Sequence, residues 1–484
     1  MTNALSFLKL LAMTASHQSA RLALVRLFAA FICIAYTVAG WSQVDVSPAL
    51  ETIRTNRHMP GMAAMAIKQG HIVAQGAAGY RRQGTNTPFL VTDPVDIGSC
   101  TKWMTATIAG RLVDRGVIDW NTRVSDLFTN YPTFNPAFTN VTLDQILCHR
   151  GGVQDETTFD ATHWSTLMTQ TGTVSHLRRW VSDAVLRDAP QVPPGQYLYA
   201  NQGYTVAATM MEIASGTDWE TLIQQEIFTP LRMKTAILGE VFDNVLPPKA
   251  PVGHDLNTNT FALTPRLKLP LNFEYHYKAS IGAAGYVGLP LNDWAKFINL
   301  HTRNYVGDYL TNAAILGRLK LPYDIHQSIG SNDMGRGVVV LYWPFAGENG
   351  LYHGGDCFGQ DSEFYLWPTN QFSILVAVNC SINKHTSAAI NDAVNLLAGY
   401  FYAKPSGPLL EDPAASSLVA GGKVVFDYPT LPGLSYMVEA SSNLLSSSWT
   451  PANGTNGQTA TNLKSFYTET NPAPVKFYRV KAAQ

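Results

Sequence analysis

Residues 95–116 read Val95-Asp96-Ile97-Gly98-Ser99-Cys100-Thr101-Lys102-Trp103-Met104-Thr105-Ala106-Thr107-Ile108-Ala109-Gly110-Arg111-Leu112-Val113-Asp114-Arg115-Gly116. Met104, Ile108 and Leu112 recur at i, i+4 and i+8, the period of one helix face, and Arg115-Gly116 supplies a helix stop. Ser99 and Lys102 therefore lie one turn apart on the same side of a helix start. An ammonium beside a serine hydroxyl lowers the cost of an alkoxide, and a neutral lysine takes its proton. The helix N-terminus adds positive potential and backbone N–H groups where negative charge develops. The same Ser-x-x-Lys spacing occurs at Ser6 and Ser381. Ser6 sits in an N-terminal leader, and Ser381 follows a strand without the turn and apolar helix. The bland alternative makes Ser99 a helix N-cap and leaves Lys102 solvated. Cys100 is not the nucleophile on this reading, because the neighbouring helical residue points about 100° away, toward packing.

Outward from this helix, period-two and small apolar runs predict strands. Gly61–Lys68 reads as a strand, Gln69-Gly70 as a turn, and 71–75 as the returning strand. Strand signals come back at 337–341, 363–367 and Phe372–Val378, and a helix is expected over 388–402. Residues 120–300 read as mainly helical, with Pro- and Asn-rich loops. The expectation is an α/β fold, with an antiparallel sheet built from both chain ends, flanked by helices, plus a mainly helical lobe. The cleft between lobes is the default site.

Two further short motifs stand in that frame. Tyr199-Ala200-Asn201 follows Pro194-Gly195 in a loop running into a helix. A tyrosine hydroxyl near a lysine shuttles protons, and Asn201 holds a carbonyl or amide. The bland alternative is a buried tyrosine with a satisfied hydroxyl. His353-Gly354-Gly355 lies between the strands at 337–341 and 363–367, and its glycines let backbone approach a ligand closely. The alternative there is a glycine turn with an ordinary histidine.

With these residues in order, the chain resembles the β-lactamase-related serine hydrolases: class C β-lactamases, D-alanyl-D-alanine carboxypeptidases and esterases of the same fold. The resemblance extends to Pro60-Gly61, to Leu112-Val113-Asp114-Arg115-Gly116-Val117-Ile118-Asp119 and to 141–152, ending His149-Arg150-Gly151-Gly152, and covers roughly residues 45 to 402. It implies a β-lactamase-like fold, and the missing metal-spaced and nucleotide-binding motifs add the expectation of an enzyme with no cofactor and no metal. It implies Ser99 as the acylated nucleophile, Lys102 and Tyr199 sharing general acid/base work, and Asn201 orienting substrate. His353, with Gly354 and Gly355, would line a third wall, and the N–H groups of Ser99 and Asp356 would form the oxyanion hole. Asp356 departs from the family, which more often has Ser, Thr or Gly there. A carboxylate at that edge is expected to repel carboxylate-bearing β-lactams and D-Ala-D-Ala peptides and to favour neutral esters. β-Lactamase, D-alanyl-D-alanine carboxypeptidase or D-aminopeptidase activity is the alternative. A catalytically silent envelope-binding protein is a further alternative, which the intact Ser99, Lys102 and Tyr199 argue against.

The bulk numbers set the remaining bounds. At 484 residues, with 14% charged and 46% hydrophobic residues and a net charge of −1, the chain is ordinary globular protein with no electrostatic case for nucleic acid. It carries no metal-spaced Cys/His cluster, Walker loop, Rossmann fingerprint or Gly-x-Ser-x-Gly elbow. Arg21 and Arg26 precede an apolar run over 27–39, too short for a comfortable span of about 20 residues. Residues 1–42 are therefore read as an export leader, with a single membrane anchor as the alternative and a periplasmic or extracellular destination. The expected order is a hydrolase domain over 43–403, a Pro- and Ser-rich linker over 404–418, and a small β-rich module over 419–484 whose ligand the sequence does not name. The expected partner of the hydrolase domain is a small-molecule ester or amide, and membrane contact comes only through an uncleaved leader. Cys33 falls in the leader. Cys100, Cys148, Cys357 and Cys380 read as buried thiols, and export leaves three disulfide pairings open.

Overall fold

The computed structural model describes residues 43–402 apart from 130–133, 303–308, 310–312, 322, 324–332, 344–345 and 347, and, beyond 402, the strands between 417 and 482. Eight strands form the main sheet: β1 (Val44–Asp45), β2 (Gly61–Lys68), β3 (His71–Gly79), β4 (Asp333–Met334), β5 (Val339–Trp343), β6 (Glu348–Cys357), β7 (Gln360–Trp367) and β8 (Phe372–Val378). Their order is β1-β3-β2-β8-β7-β6-β5-β4. The two chain ends meet at β2–β8, where Met62 pairs with Val378 and Lys68 with Phe372. The sheet is thus built from both ends, as expected. It is antiparallel except for β1, which runs parallel to β3. The helix Ser47–Arg57 and β2 intervene between those two strands, and such a crossover permits a parallel neighbour where a hairpin does not.

The ends of β2 and β8 fall where the sequence puts them. β5 lies two residues later than expected, and β7 starts at Gln360. The last long helix, Lys384–Phe401, starts earlier because Asn383 caps it, its Oδ1 accepting from the N–H groups of His385 and Thr386 at 2.8 and 3.2 Å. His353-Gly354-Gly355 does not connect strands; it is part of β6 itself. Glycines at 350, 354 and 355 dilute the strand signal there.

Alternation along the strands divides the core in two. Met62, Ala64, Ala66, Ile374 and Val376 pack under the helices Ser47–Arg57 and Lys384–Phe401. Ala63, Met65, Ile67, Phe364 and Leu375 face the helical lobe and the helix Thr101–Asp114. That helix is apolar on more than the predicted stripe, with nearly every residue from Thr101 to Leu112 buried. Helices hydrophobic all round are core helices, and this one lies between the sheet and the lobe. Its Trp103 stacks on His301 at 3.9 Å and on Phe364 at 5.0 Å, contacts worth about 0.5–1.5 kcal/mol each beyond burial. The nucleophile helix therefore starts from a rigid base.

All four described cysteines are buried free thiols. Among the described residues no helix is long and apolar enough to cross a membrane. Beyond residue 416 the described residues are all strand. Ser417–Val419, Lys423–Pro429 and Lys464–Thr470 form one sheet, and Ser435–Ser441 pairs with Thr450–Pro451, Gln458–Thr459 and Phe477–Ala482 in another. The first of these strands begins inside the expected linker. The rest of that linker and the leader over 1–42 lie outside the described residues.

Candidate active site

The chain enters the site through Val95–Asp96, which pairs with Val287–Leu289, and Ile97 N–H then donates to Val287 O at 3.0 Å. A 3₁₀ turn, Gly98–Cys100, runs directly into the helix Thr101–Asp114. Strand β5 pairs with β6 only as far as Tyr352, so the stretch after it presents an edge. That edge touches the helix start. Gly98 has φ +46°, and a Cβ on it would lie 2.7 Å from the carbonyl carbon of Gly355 and 3.0 Å from Asp356 N. A Cβ on Gly355 would lie 2.0 Å from Ile97 O and 2.8 Å from Ser99 N. Only paired glycines allow this approach, and it sets the N–H groups of Ser99 and Asp356 side by side, the arrangement an oxyanion requires.

Ser99 is not an N-cap; its turn carries no side-chain cap. Its Oγ is 3.0 Å from Lys102 Nζ and accepts from the Tyr199 hydroxyl at 2.8 Å. Lys102 is fully buried rather than solvated. Its Nζ also donates to Asn201 Oδ1 at 2.7 Å and to Ala284 O at 2.9 Å. Burial lowers its pKa to about 7, opposed chiefly by the Glu156 carboxylate. The two carbonyl-type acceptors demand two N–H bonds. A neutral amine supplies both and keeps its lone pair for the serine hydroxyl, so the surroundings of Lys102 suit the form that takes a proton.

Tyr199 is held differently. Burial raises its phenol above the ordinary range, so it stays protonated and serves as a donor. Its ring stacks on His149, centroids 4.3 Å apart, and His149 Nδ1 accepts from Ala200 N–H at 3.1 Å. His149 O accepts from Leu198 N–H at 2.9 Å. Burial depresses the His149 imidazolium well below its ordinary range, so the ring is a neutral support. Asn201 opens the helix Asn201–Ser215. Its Nδ2 donates to Glu156 Oε2 at 2.6 Å. A carboxylate only accepts, so Glu156 fixes the amide with its oxygen toward Lys102.

His353 is buried beside this group, its ring 6.3 Å from that of Tyr199. Its Nδ1 donates to Gly354 O at 2.7 Å, and its Nε2 has no partner among the described residues. Burial and then Lys102 lower its pKa to about 4, so the wall carries a neutral acceptor at neutral pH.

Asp356 requires a correction. Register pairs Gly354 with Glu363 and Asp356 with Asp361, and alternation puts the Asp356 side chain on the sheet face opposite His353 and Gly355. The side chain is exposed. Burial of its surroundings raises its pKa, and the Arg266 guanidinium opposes that rise; Lys102 is not among its charged neighbours. The backbone of Asp356 stands where the sequence reading placed it, but its carboxylate does not face the acyl site.

Sequence reasoning missed two residues. His149 lay in a loop read as mainly structural, and Glu156 had no motif. Its one local signal is Asp155, which caps the helix Glu156–Thr162 by accepting from Thr158 N–H at 2.8 Å. The cap locates a helix start but says nothing of Asn201, 45 residues on.

The Beta-lactamase family profile matches residues 46–398. The chain belongs to that family. Within it, the chain is 27% identical over 183 residues to penicillin-binding protein 4 of Amycolatopsis lactamdurans, covering 37% of this chain and 45% of that protein. It is 29% identical over 179 residues to the D-alanyl-D-alanine-carboxypeptidase/endopeptidase AmpH of Escherichia coli K12, covering 36% and 44%. The chain thus spans less than half the length of these two curated relatives. The structure of the octameric penicillin-binding protein homologue from Pyrococcus abyssi superposes with a TM-score of 0.58 at 17% identity, covering 89% of this chain and 98% of that one. The Beta-lactamase fold is therefore present from end to end of the sheet and lobe described above.

Proposed function

We propose that this chain is an exported acyl hydrolase that works through an ester on Ser99, with carboxylic esters as its substrates. The observation that carries the reading is the buried Lys102 amine, set between two carbonyl acceptors and 3.0 Å from Ser99 Oγ. Ser99 Oγ attacks the acyl carbon as Lys102 takes its proton. The oxyanion rests on the N–H groups of Ser99 and Asp356. The carbon–oxygen bond to the leaving alcohol breaks as that oxygen receives the Tyr199 proton, which Lys102 restores. Water then attacks the acyl-enzyme, and its proton returns through the same pair to release the acid and free Ser99. His353 lines the third wall and Asn201 orients the substrate carbonyl. The basic, hydrophobic leader sequence supports export.

Esters rank above carboxylate-bearing substrates for a reason other than Asp356. Lys102 has three polar contacts within the site and no donor left for a substrate carboxylate. The third wall offers an imidazole acceptor. The second reading is cleavage of peptides or β-lactams, of which the AmpH relative, a D-alanyl-D-alanine-carboxypeptidase/endopeptidase, favours the peptides. Short-chain esters, a chromogenic cephalosporin and a D-Ala-D-Ala peptide assayed side by side decide between them. The expected result is the highest kcat/KM for an ester, falling as pH drops through about 7 because protonated Lys102 cannot act as base. A cephalosporin cleaved faster than every ester, or an ester rate flat from pH 5 to pH 9, would overturn the proposal.

A further inference from the structure

The turn that joins β4 to β5 leaves the edge of the main sheet and lies on the nucleophile helix. Gly335 N–H donates to Val338 O at 2.8 Å and closes the turn. Within it Gly337 has φ +76°, and a Cβ there would lie 2.6 Å from the carbonyl carbon and oxygen of Lys102 and 2.8 Å from Trp103 N. Glycine is required twice over, for the left-handed backbone and for the close approach. The peptide that carries Lys102 is thus seated on this turn.

Arg336, one residue earlier, fixes where the turn stands. It is buried, with only 3% of its surface exposed. Its Nε and Nη2 donate to Asp144 Oδ1 and Oδ2 at 2.7 and 2.8 Å. Its Nη1 donates to Arg318 O and Leu321 O at 3.1 and 3.0 Å. A planar fork of five donors suits this set of acceptors, and a lysine does not. Asp144 belongs to the helix Leu143–Leu147. The end of that helix holds the other half of the acid–base pair. Leu147 O accepts from the Tyr204 hydroxyl at 2.6 Å, and the Tyr204 ring lies 5.5 Å from Lys102 Nζ. His149, two residues on, supports the Tyr199 ring and accepts from Ala200 N–H. One buried guanidinium therefore joins the seat of Lys102 to the seat of Tyr199.

A buried ion pair by itself says little about function, since desolvation offsets much of its attraction. Arg111 makes one of the ordinary kind, its Nε 2.7 Å from Glu226 Oε2, roughly three turns beyond Ser99 on the same helix. What sets Arg336 apart is the pair of elements it ties together.

We propose that Arg336 is a positioning residue for acyl transfer: it locks the turn under Lys102 and the helix before His149 in one register, and so brings the Lys102 amine and the Tyr199 hydroxyl together on Ser99 Oγ. The inference rests on the Ser99 acyl-hydrolase reading and deepens it.

Arg336→Met and Arg111→Met, compared in the full chain, test it. Each removes a guanidinium from a buried pair and should lower the unfolding temperature. Arg336→Met is expected to lower kcat on a short-chain alkyl ester by about 10-fold to 100-fold with KM within about twofold, because misplaced reacting groups cost rate rather than binding. The acid limb of its pH profile should move up by at least about half a pH unit, since a loosened seat admits water and lets the Lys102 pKa rise from about 7. Arg111→Met should leave kcat and the acid limb unchanged. Arg336→Lys keeps the charge without the fork and should fall between wild type and Arg336→Met. A folded Arg336→Met with wild-type kcat and acid limb, or an equal loss of kcat in Arg111→Met, overturns the proposal. Should Arg336→Met fail to fold, wild-type kcat and acid limb in Arg336→Lys overturn it instead. Labelling with a serine-directed phosphonate separates this inference from the reading beneath it. A wild type labelled on Ser99, with a folded Arg336→Met labelled equally fast, rejects the role of Arg336 alone. An active wild type that takes no label on Ser99 rejects the acyl-enzyme reading and this inference with it.

Discussion

Lys102→Ala is expected to lower kcat on a short-chain ester by about 10⁴-fold, the upper end of what acid–base groups contribute. The variant removes the base and the group that fixes the serine hydroxyl. Two carbonyl acceptors, Asn201 Oδ1 and Ala284 O, lose their donor with it. Each unsatisfied buried acceptor costs about 1–3 kcal/mol, but the site no longer has to bury an amine. Thermal unfolding measured beside kcat separates a lost base from a lost fold. Near-normal turnover in a folded variant would remove Lys102 from the mechanism.

Tyr199→Phe is expected to lower kcat by about 10²–10⁴-fold with the fold intact. The ring and its stacking on His149 at 4.3 Å remain, so only the hydroxyl 2.8 Å from Ser99 Oγ is lost. Because burial keeps that phenol protonated, the loss falls on delivery of a proton to the leaving group. An ester with a phenolate-type leaving group needs little such help, and its rate should fall less than that of an alkyl ester. Equal losses on both would mean that Tyr199 acts elsewhere in the cycle.

The parts of this site legible in the sequence are those whose geometry is local. Three residues along a helix place Lys102 beside Ser99 wherever the helix goes, and two residues of loop tie Asn201 to Tyr199. The strands Gly61–Lys68 and Phe372–Val378 were readable because both faces are covered, which produces continuous small apolar runs. Glu156 was not readable, since its contact with Asn201 joins two helices that only tertiary packing brings together. The part played by His149 was hidden for the same reason. Asp356 fails differently. The motif reads as a strand edge, but the side to which Asp356 turns does not, because a strand sends successive side chains to opposite faces and the glycines blur its register. The module beyond residue 416 showed its strands through short β-branched and aromatic runs, but such runs do not say which strands pair.

The central claim is that Ser99 carries the acyl group. The most direct measurement is mass spectrometry of the full chain after incubation with a serine-directed phosphonate ester, with the labelled peptide sequenced. The account predicts one adduct, on Ser99, formed in step with loss of ester hydrolysis and slowed in Lys102→Ala. An adduct on Ser6, Ser381 or Cys100, or an active protein that takes no label, would contradict it.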